Sequence, residues 1–241
     1  MPSVLVVQPA EDDGLGRFSG WLSEQGIAIR TVRPYDGDAI PDQLRADGLI
    51  VLGGDMSSND DARFPWLEQI RALFRAAVLQ RQPTLGICLG GQLLAQSLGG
   101  TVAKGAHGTE AGVVTVTSTD EAAGDRLFNG LGPTFQVASM HGDAIESLPD
   151  GAVLLGTSNP YPQQAFRAAP HAWGVQFHPE ITPATYAVWA GDFRSSDPDE
   201  RHRVARGIGD LAAADSAVQE TAELLATRFA ALITSAETGK I

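Results

Sequence analysis

The sequence predicts an α/β protein: an open, mostly parallel sheet flanked by helices, with a C-terminal helical extension. Three observations carry that prediction. From Val4 to Leu98, short apolar runs alternate with amphipathic stripes, the pattern of βαβ units around a covered parallel sheet. One of those runs ends in a glycine-bracketed turn that leads straight into a further helical stripe. From about Ala190 the composition shifts to Ala, Asp, Glu and Arg with helical periodicity.

Val4-Leu5-Val6-Val7 is a continuous apolar run, as expected of a buried strand. After an acidic turn, Leu15, Phe18 and Leu22 fall at helical spacing, and Gly26 ends that helix. Ile27 to Val32 gives a second strand, and Gly48 to Leu52 a third that stops at Gly53-Gly54. Pro65 opens a stronger helix, in which Trp66, Leu67, Ile70, Leu73, Phe74 and Ala77 form one apolar stripe. Thr84 to Ile87 is a short strand, followed after Cys88 by a helical pattern through Leu93, Leu94 and Leu98. The stretch from Val113 to about Gly156 is rich in strand signals, and Gln163–Phe166 and Trp173–Phe177 add two more strands. In the tail, Leu211, Val218, Ala222, Leu225, Phe229 and Leu232 recur at helical spacing. Residues 1–190 are therefore expected to form the main domain. Residues 191–241 are expected to form a helical extension, either packed on that domain as a solvated amphipathic helix or offered as a dimer contact.

At 241 residues with 43% hydrophobic and 19% charged residues, the chain can bury a substantial core. A formal net charge of -12 argues against nucleic acid as a general partner, since phosphate binding needs a basic face. No apolar run approaches the roughly 18–20 residues that span a bilayer. The amino terminus lacks the basic region and cleavage site of a signal peptide, so a cytoplasmic location is expected. The single cysteine rules out an intramolecular disulfide and a Cys-based zinc cluster.

That cysteine lies in Gly86-Ile87-Cys88-Leu89-Gly90-Gly91-Gln92, between a strand and a helix. Glycines two before and two after it fit a nucleophile elbow, a turn too sharp for larger side chains that leaves the central residue strained and exposed. The helix amino terminus favours thiolate over thiol, and the N–H of Leu89 would point at a developing oxyanion. A tight βα turn around an inert cysteine has the same local sequence, so the partners decide. His178-Pro179-Glu180 follows an apolar run and so sits at a strand's carboxyl end, where open α/β sheets place their ligands. In an extended segment, residues two apart project to the same side, roughly 6–7 Å apart. Glu180 can then fix the tautomer of His178 while the other ring nitrogen faces the thiol. The rival grouping joins His141-Gly142-Asp143 to His178 as a two-His, one-carboxylate iron site, but it leaves the elbow without a purpose. His141 is expected to be a loop residue packing beside the pocket. His107, His171 and His202 have surface or structural roles.

Gly86 to Gln92 and Gln176-Phe177-His178-Pro179-Glu180 together resemble the two signature segments of the class I, triad-type glutamine amidotransferases. Further segments resemble stand-alone members related to the amidotransferase domain of GMP synthase: Leu52 to Ser57 with Asn59-Asp60-Asp61, Leu98-Gly99-Gly100, His141-Gly142-Asp143 with Leu148-Pro149, and Asn159 to Phe166. The resemblance covers about residues 3 to 190 and implies a flavodoxin-like class I amidotransferase fold. It implies Cys88 as nucleophile, His178 as general base and acid, and Glu180 as its orienting carboxylate. Leu89 and the Gly53-Gly54 loop would supply oxyanion-hole amides, Gln92 would help hold the substrate's glutamate portion, and Glu110 would lie near the pocket. No metal or organic cofactor is implied. Asp55 replaces a proline common in relatives, and Met140 and Val113 stand where relatives often carry tryptophan. These departures bear on acceptor or substrate specificity rather than on the triad.

The implied activity is hydrolysis of the γ-amide of glutamine to glutamate and ammonia, through a γ-glutamyl thioester. The chain contains no phosphate-binding loop motif, so the ammonia would pass to a separate synthetase subunit. The alternative is a free-standing hydrolase of γ-glutamyl peptides, amines or conjugates. A third class is non-catalytic, a cysteine-based sensor or a partner-binding pseudoenzyme; His178, Glu180 and Gln92 speak against it.

Overall fold

The computed structural model describes residues 1–238, and element counts refer to those residues. Positions 239–241 of the expected extension lie outside them. Nine strands form one sheet. Its parallel half runs β2 (Ala28–Val32), β1 (Ser3–Val7), β3 (Gly48–Val51), β4 (Thr84–Ile87), β11 (Ala172–Val175), with every neighbouring pair parallel. The sheet continues antiparallel through β10 (Ala165–Ala169), β9 (Val153–Thr157), β6 (Glu110–Ser118) and β7 (Thr134–His141). A separate ribbon pairs β5 (Thr101–Lys104) with β8 (Asp143–Ser147).

Alternation along the central strands sorts side chains onto two faces, because successive residues of a strand point to opposite sides. Val4, Val6, Ile50, Leu52, Leu85 and Ile87 pack in one cluster with Phe18 and Leu22 of α1 (Phe18–Glu24). Leu5, Val7, Leu49 and Val51 pack on the other face, against α2 (Trp66–Leu79) and α3 (Leu89–Ser97). Both faces of the parallel half are thus covered, which explains why its strands are apolar throughout rather than alternating with polar residues.

The tail is one helix, α5 (Pro198–Thr238), that contributes Ala222, Leu225, Phe229 and Ile233 to the same cluster as α1. Leu211 and Val218 join a smaller cluster with Ala138, Ile181 and Tyr186. All six apolar positions of the expected stripe are buried. The stripe is therefore buried within this chain, against its sheet and α1. Arg17 at the start of α1 pairs with Asp215, and Thr109 donates its N–H to Glu200 at 2.8 Å, fixing two points along the helix to the main body.

Three local differences have simple causes. The helix begins at Phe18 rather than Leu15, because Leu15 lies in the turn that delivers the chain to it. β5 escapes sequence reading because it is a four-residue strand with both ends exposed. So does α4 (Pro183–Asp192), in which Tyr186 alone is fully buried, leaving too thin a stripe to register. Among the described residues, no helix is long and apolar enough to cross a membrane.

Candidate functional site

The site lies at the carboxyl ends of β3, β4 and β11. The backbone turns at Cys88, whose φ of 50° and ψ of -108° place it in strained, left-sided geometry between β4 and α3. A side chain at Gly86 would put its Cβ 2.4 Å from the carbonyl oxygen of Gly90, and one at Gly90 would stand 2.1 Å from that of Val51. No heavy atoms approach so closely, so the flanking glycines are what let the elbow exist. The N–H of Cys88 is held by the carbonyl of Val175 at 2.8 Å, tying the turn to the neighbouring strand. Leu89 is the first residue of α3, where N–H groups lack intrahelical acceptors.

Three residues beyond β11, the backbone of His178 donates to the carbonyl of Ala138 on β7 at 2.8 Å. The contact ties this segment to β7, and His178 and Cys88 line the same cavity, near enough for the sulfur to act on the charge of the ring. Nδ1 of His178 lies 2.7 Å from Oε1 of Glu180, and both side chains are buried. Burial opposes charge on the ring, yet the Glu180 carboxylate and Cys88 outweigh it and hold the imidazole pKa well above its usual value. With Nδ1 on the carboxylate, Nε2 is the nitrogen left for the thiol. The edge of this pair is closed by the indole of Trp189, whose ring centroid is 4.8 Å from that of the imidazole.

A cavity of about 770 Å³ opens over Cys88 and His178. Leu89, Gln92 and Gly54 line it; Gly53 sits behind, where a Cβ would meet Asp13 Oδ2 at 2.7 Å and His178 Cε1 at 2.8 Å. Gln92 is buried, and its amide donates to the carbonyl of Asp143 at 3.0 Å and to Gln176 Oε1 at 3.3 Å. Gln176 in turn points its amide at Cys88 Sγ, at 3.8 Å. Asp55 and Met140, two of the departures from the family pattern, both line the cavity, whereas Val113 packs beneath α5.

His141 is not a loop residue. It is the last residue of β7 and is buried, with one ring nitrogen 2.9 Å from the carbonyl of Asp143 and the other 3.0 Å from Glu110. Both nitrogens being taken, it has none free to join His178 around an iron. Glu110 accepts from Ser139 and Gln164 as well, at 3.2 and 2.8 Å, so it braces β6 against its neighbours at the cavity's edge. Asn59 and Asp61 act similarly on the loop after β3: Asn59 donates to the Val102 carbonyl at 3.2 Å, and Asp61 pairs with Arg71.

Asp13 escaped sequence reading. It lies in the loop after β1, is 8% exposed, and has no hydrogen-bond partner for Oδ1. Burial pushes its carboxyl up to about 7, with His178 pulling the other way. Asp13, His178 and Glu180 bring ligand-type atoms within 4.8 Å of one another, so this trio is where a positive charge would be held. The Nδ1 hydrogen bond to Glu180 suits it to a proton on the ring. Nothing in Glu11-Asp12-Asp13 distinguishes the buried acid from its exposed neighbour Asp12; only its burial near His178 does.

The family model for glutamine amidotransferase class-I matches residues 21–188. The chain is 36% identical over 148 residues to a glutamine-hydrolyzing GMP synthase subunit of Natronomonas pharaonis, covering 61% of this chain and 72% of that one. It is 37% identical over 170 residues to the glutamine-hydrolyzing GMP synthase of Streptomyces coelicolor, covering 66% of this chain but only 30% of that protein. Among solved structures, a glutamine amidotransferase of Methylobacillus flagellatus superposes with a TM-score of 0.80 at 28% identity, over 96% of this chain and 95% of the other.

Proposed function

The chain belongs to the class-I glutamine amidotransferase family, and from that premise we propose that it hydrolyses the γ-amide of glutamine or a γ-glutamyl amide through Cys88. What supports the proposal is that the strained elbow cysteine lines the same cavity as His178, whose ring is held by the buried Glu180.

In this mechanism His178 accepts the thiol proton, and the Cys88 sulfur attacks the γ-carbonyl carbon. The negative charge moves to the carbonyl oxygen, where the N–H of Leu89 and the loop at Gly53-Gly54 offer donors; each donor of this kind contributes about 3–4 kcal/mol in acyl transfer. As the C–N bond breaks, imidazolium returns its proton to the leaving nitrogen, leaving a γ-glutamyl thioester. His178 then takes a proton from water, which attacks the thioester and releases glutamate and free thiol. Glu180 keeps the ring in the tautomer both steps need. Gln92 and Gln176 hold each other beside the sulfur, and Gln92 faces the cavity where the glutamyl portion would lie.

The Natronomonas pharaonis relative is named as one subunit of GMP synthase, which supports delivery of ammonia to a separate synthetase chain. The test is glutamate release from L-glutamine and from γ-glutamyl dipeptides, with Cys88→Ala as control. Release that depends on Cys88 is expected. Equal release by Cys88→Ala would overturn the assignment.

A further inference from the structure

The mechanism leaves one buried ionisable pair unused, His141 and Glu110. They stand directly opposite each other in the register of β6 and β7, so their side chains leave the sheet on the same face. Their partners fix the protons. The Asp143 carbonyl, 2.9 Å from Nδ1, can only accept, so Nδ1 carries a hydrogen. Nε2 lies 3.0 Å from Glu110 Oε2, an oxygen that also accepts from Ser139 Oγ and Gln164 Nε2 at 3.2 and 2.8 Å. A bare lone pair on Nε2 would oppose the lone pairs of that oxygen, so a further proton is held between them. Hydrogen bonds along such a line are charge-assisted, and burial strengthens them. Tyr161 packs edge-on against the imidazole, 5.1 Å between ring centroids, and keeps the ring in place.

The same Asp143 carbonyl also accepts from Gln92 Nε2 at 3.0 Å, and that nitrogen donates to Gln176 Oε1 at 3.3 Å. A carboxamide fits its slot two ways round, and two acceptors on one side select the orientation: Gln92 turns its nitrogen to them. Gln176 then has its own nitrogen toward Cys88 Sγ, at 3.8 Å. One line of contacts thus runs from Glu110 through His141, the Asp143 carbonyl and the two glutamines to the sulfur. His141, Asp143 and Gln92 are all cavity wall.

Resting on the reading of Cys88 as nucleophile and Gln92 as part of the glutamyl seat, we propose that His141 and Glu110 are positioning residues. The proton they share holds the Asp143 carbonyl in place, and through it the orientation of the Gln92 carboxamide. The pair therefore governs how the glutamyl portion is seated, and not how the sulfur reacts.

Two reagents on one sulfur test this separately from the catalytic assignment. The diazoketone analogue of glutamine alkylates the nucleophile with loss of dinitrogen and needs the glutamyl seat; iodoacetamide alkylates it with loss of iodide and does not. Rates of Cys88 labelling are read by peptide mass spectrometry, and KM and kcat are measured beside them for L-glutamine or the γ-glutamyl amide hydrolysed. Asparagine places its amide nitrogen near where Nδ1 stands, and glutamine near Nε2, so His141→Gln should lose the Asp143 bond and His141→Asn should keep it. In His141→Gln the diazoketone rate should fall at least about tenfold relative to the iodoacetamide rate, and KM should rise with kcat within about threefold. His141→Asn should recover part of that ratio. Glu110→Gln keeps the side chain's shape and decides the question if the His141 variants do not fold. It should lower the ratio at least about threefold, through loss of the charge assistance alone. Parallel falls in both rates, or an unchanged ratio in Glu110→Gln, overturn the proposal while leaving Cys88 in place. Iodoacetamide labelling without diazoketone labelling in the unaltered chain overturns the glutamyl reading, and the proposal with it.

Discussion

Replacing Asp13 by asparagine removes a charge while keeping the side chain's shape. In the folded chain this carboxyl has a pKa of about 7, against 3.8 for the free group, because burial strips its water and His178 only partly compensates. The folded state therefore holds the proton more tightly than the unfolded one. The stabilisation this gives is complete below the unfolded value and is lost as pH rises through the folded one. Worked from those two values, the loss is about 2 kcal/mol at pH 5 and about 4 kcal/mol at pH 8, both upper bounds, at about 1.36 kcal/mol per pKa unit. Asp13→Asn carries no such dependence. Its stability relative to the unaltered chain should therefore rise by about 2–3 kcal/mol between pH 5 and pH 8. Urea unfolding of both proteins at the two pH values measures this directly, since every other titrating group is shared. Stability curves that run parallel, or a relative gain that is larger at pH 5, would refute the account of Asp13 as a desolvated acid.

Glu180→Gln should lower kcat by about 10²–10⁴-fold, because the ring loses the partner that orients it. With the carboxylate gone, the His178 pKa should fall, so the alkaline limb of the kcat/KM profile should move to lower pH; an unmoved limb would contradict the pairing. Gly90→Ala places a Cβ against the backbone oxygen of Val51, so it should cost more than about 2 kcal/mol in urea unfolding. Phe229→Ala empties a fully buried site between α5 and the sheet, and should cost about 3–5 kcal/mol within a single unfolding transition. A loss below about 1 kcal/mol would mean that the helix contributes little to the core.

What the sequence made legible was whatever it encodes locally. The elbow could be read because glycine spacing around Cys88 reports a backbone too tight for side chains. The His178–Glu180 pair could be read because an extended segment at a strand's end puts alternate residues on one side. The central strands could be read because burial on both faces leaves them uniformly apolar. Features that depend on distant packing were invisible. Asp13 is one acid in an acidic loop until Gly53 brings it beside the imidazole. His141 looks like a loop residue because Gly142 follows it, yet pairing with β6 carries the strand through it and gives it to Glu110. The C-terminal stripe showed a helix but not its partner, since an apolar face has no address written in it. Gln176 enters the sequence reading only as the first residue of a signature segment, and only the fold turns its amide toward Cys88.

The central claim is that the Cys88 sulfur carries the glutamyl group during turnover. Acid-quenching the protein during turnover with L-glutamine or a γ-glutamyl amide, followed by peptide mass spectrometry, tests it directly. A γ-glutamyl adduct on the peptide containing Cys88, accumulating and decaying with substrate, is the expected result. Sustained release of glutamate by Cys88→Ala, or turnover with the adduct on another residue, would contradict it.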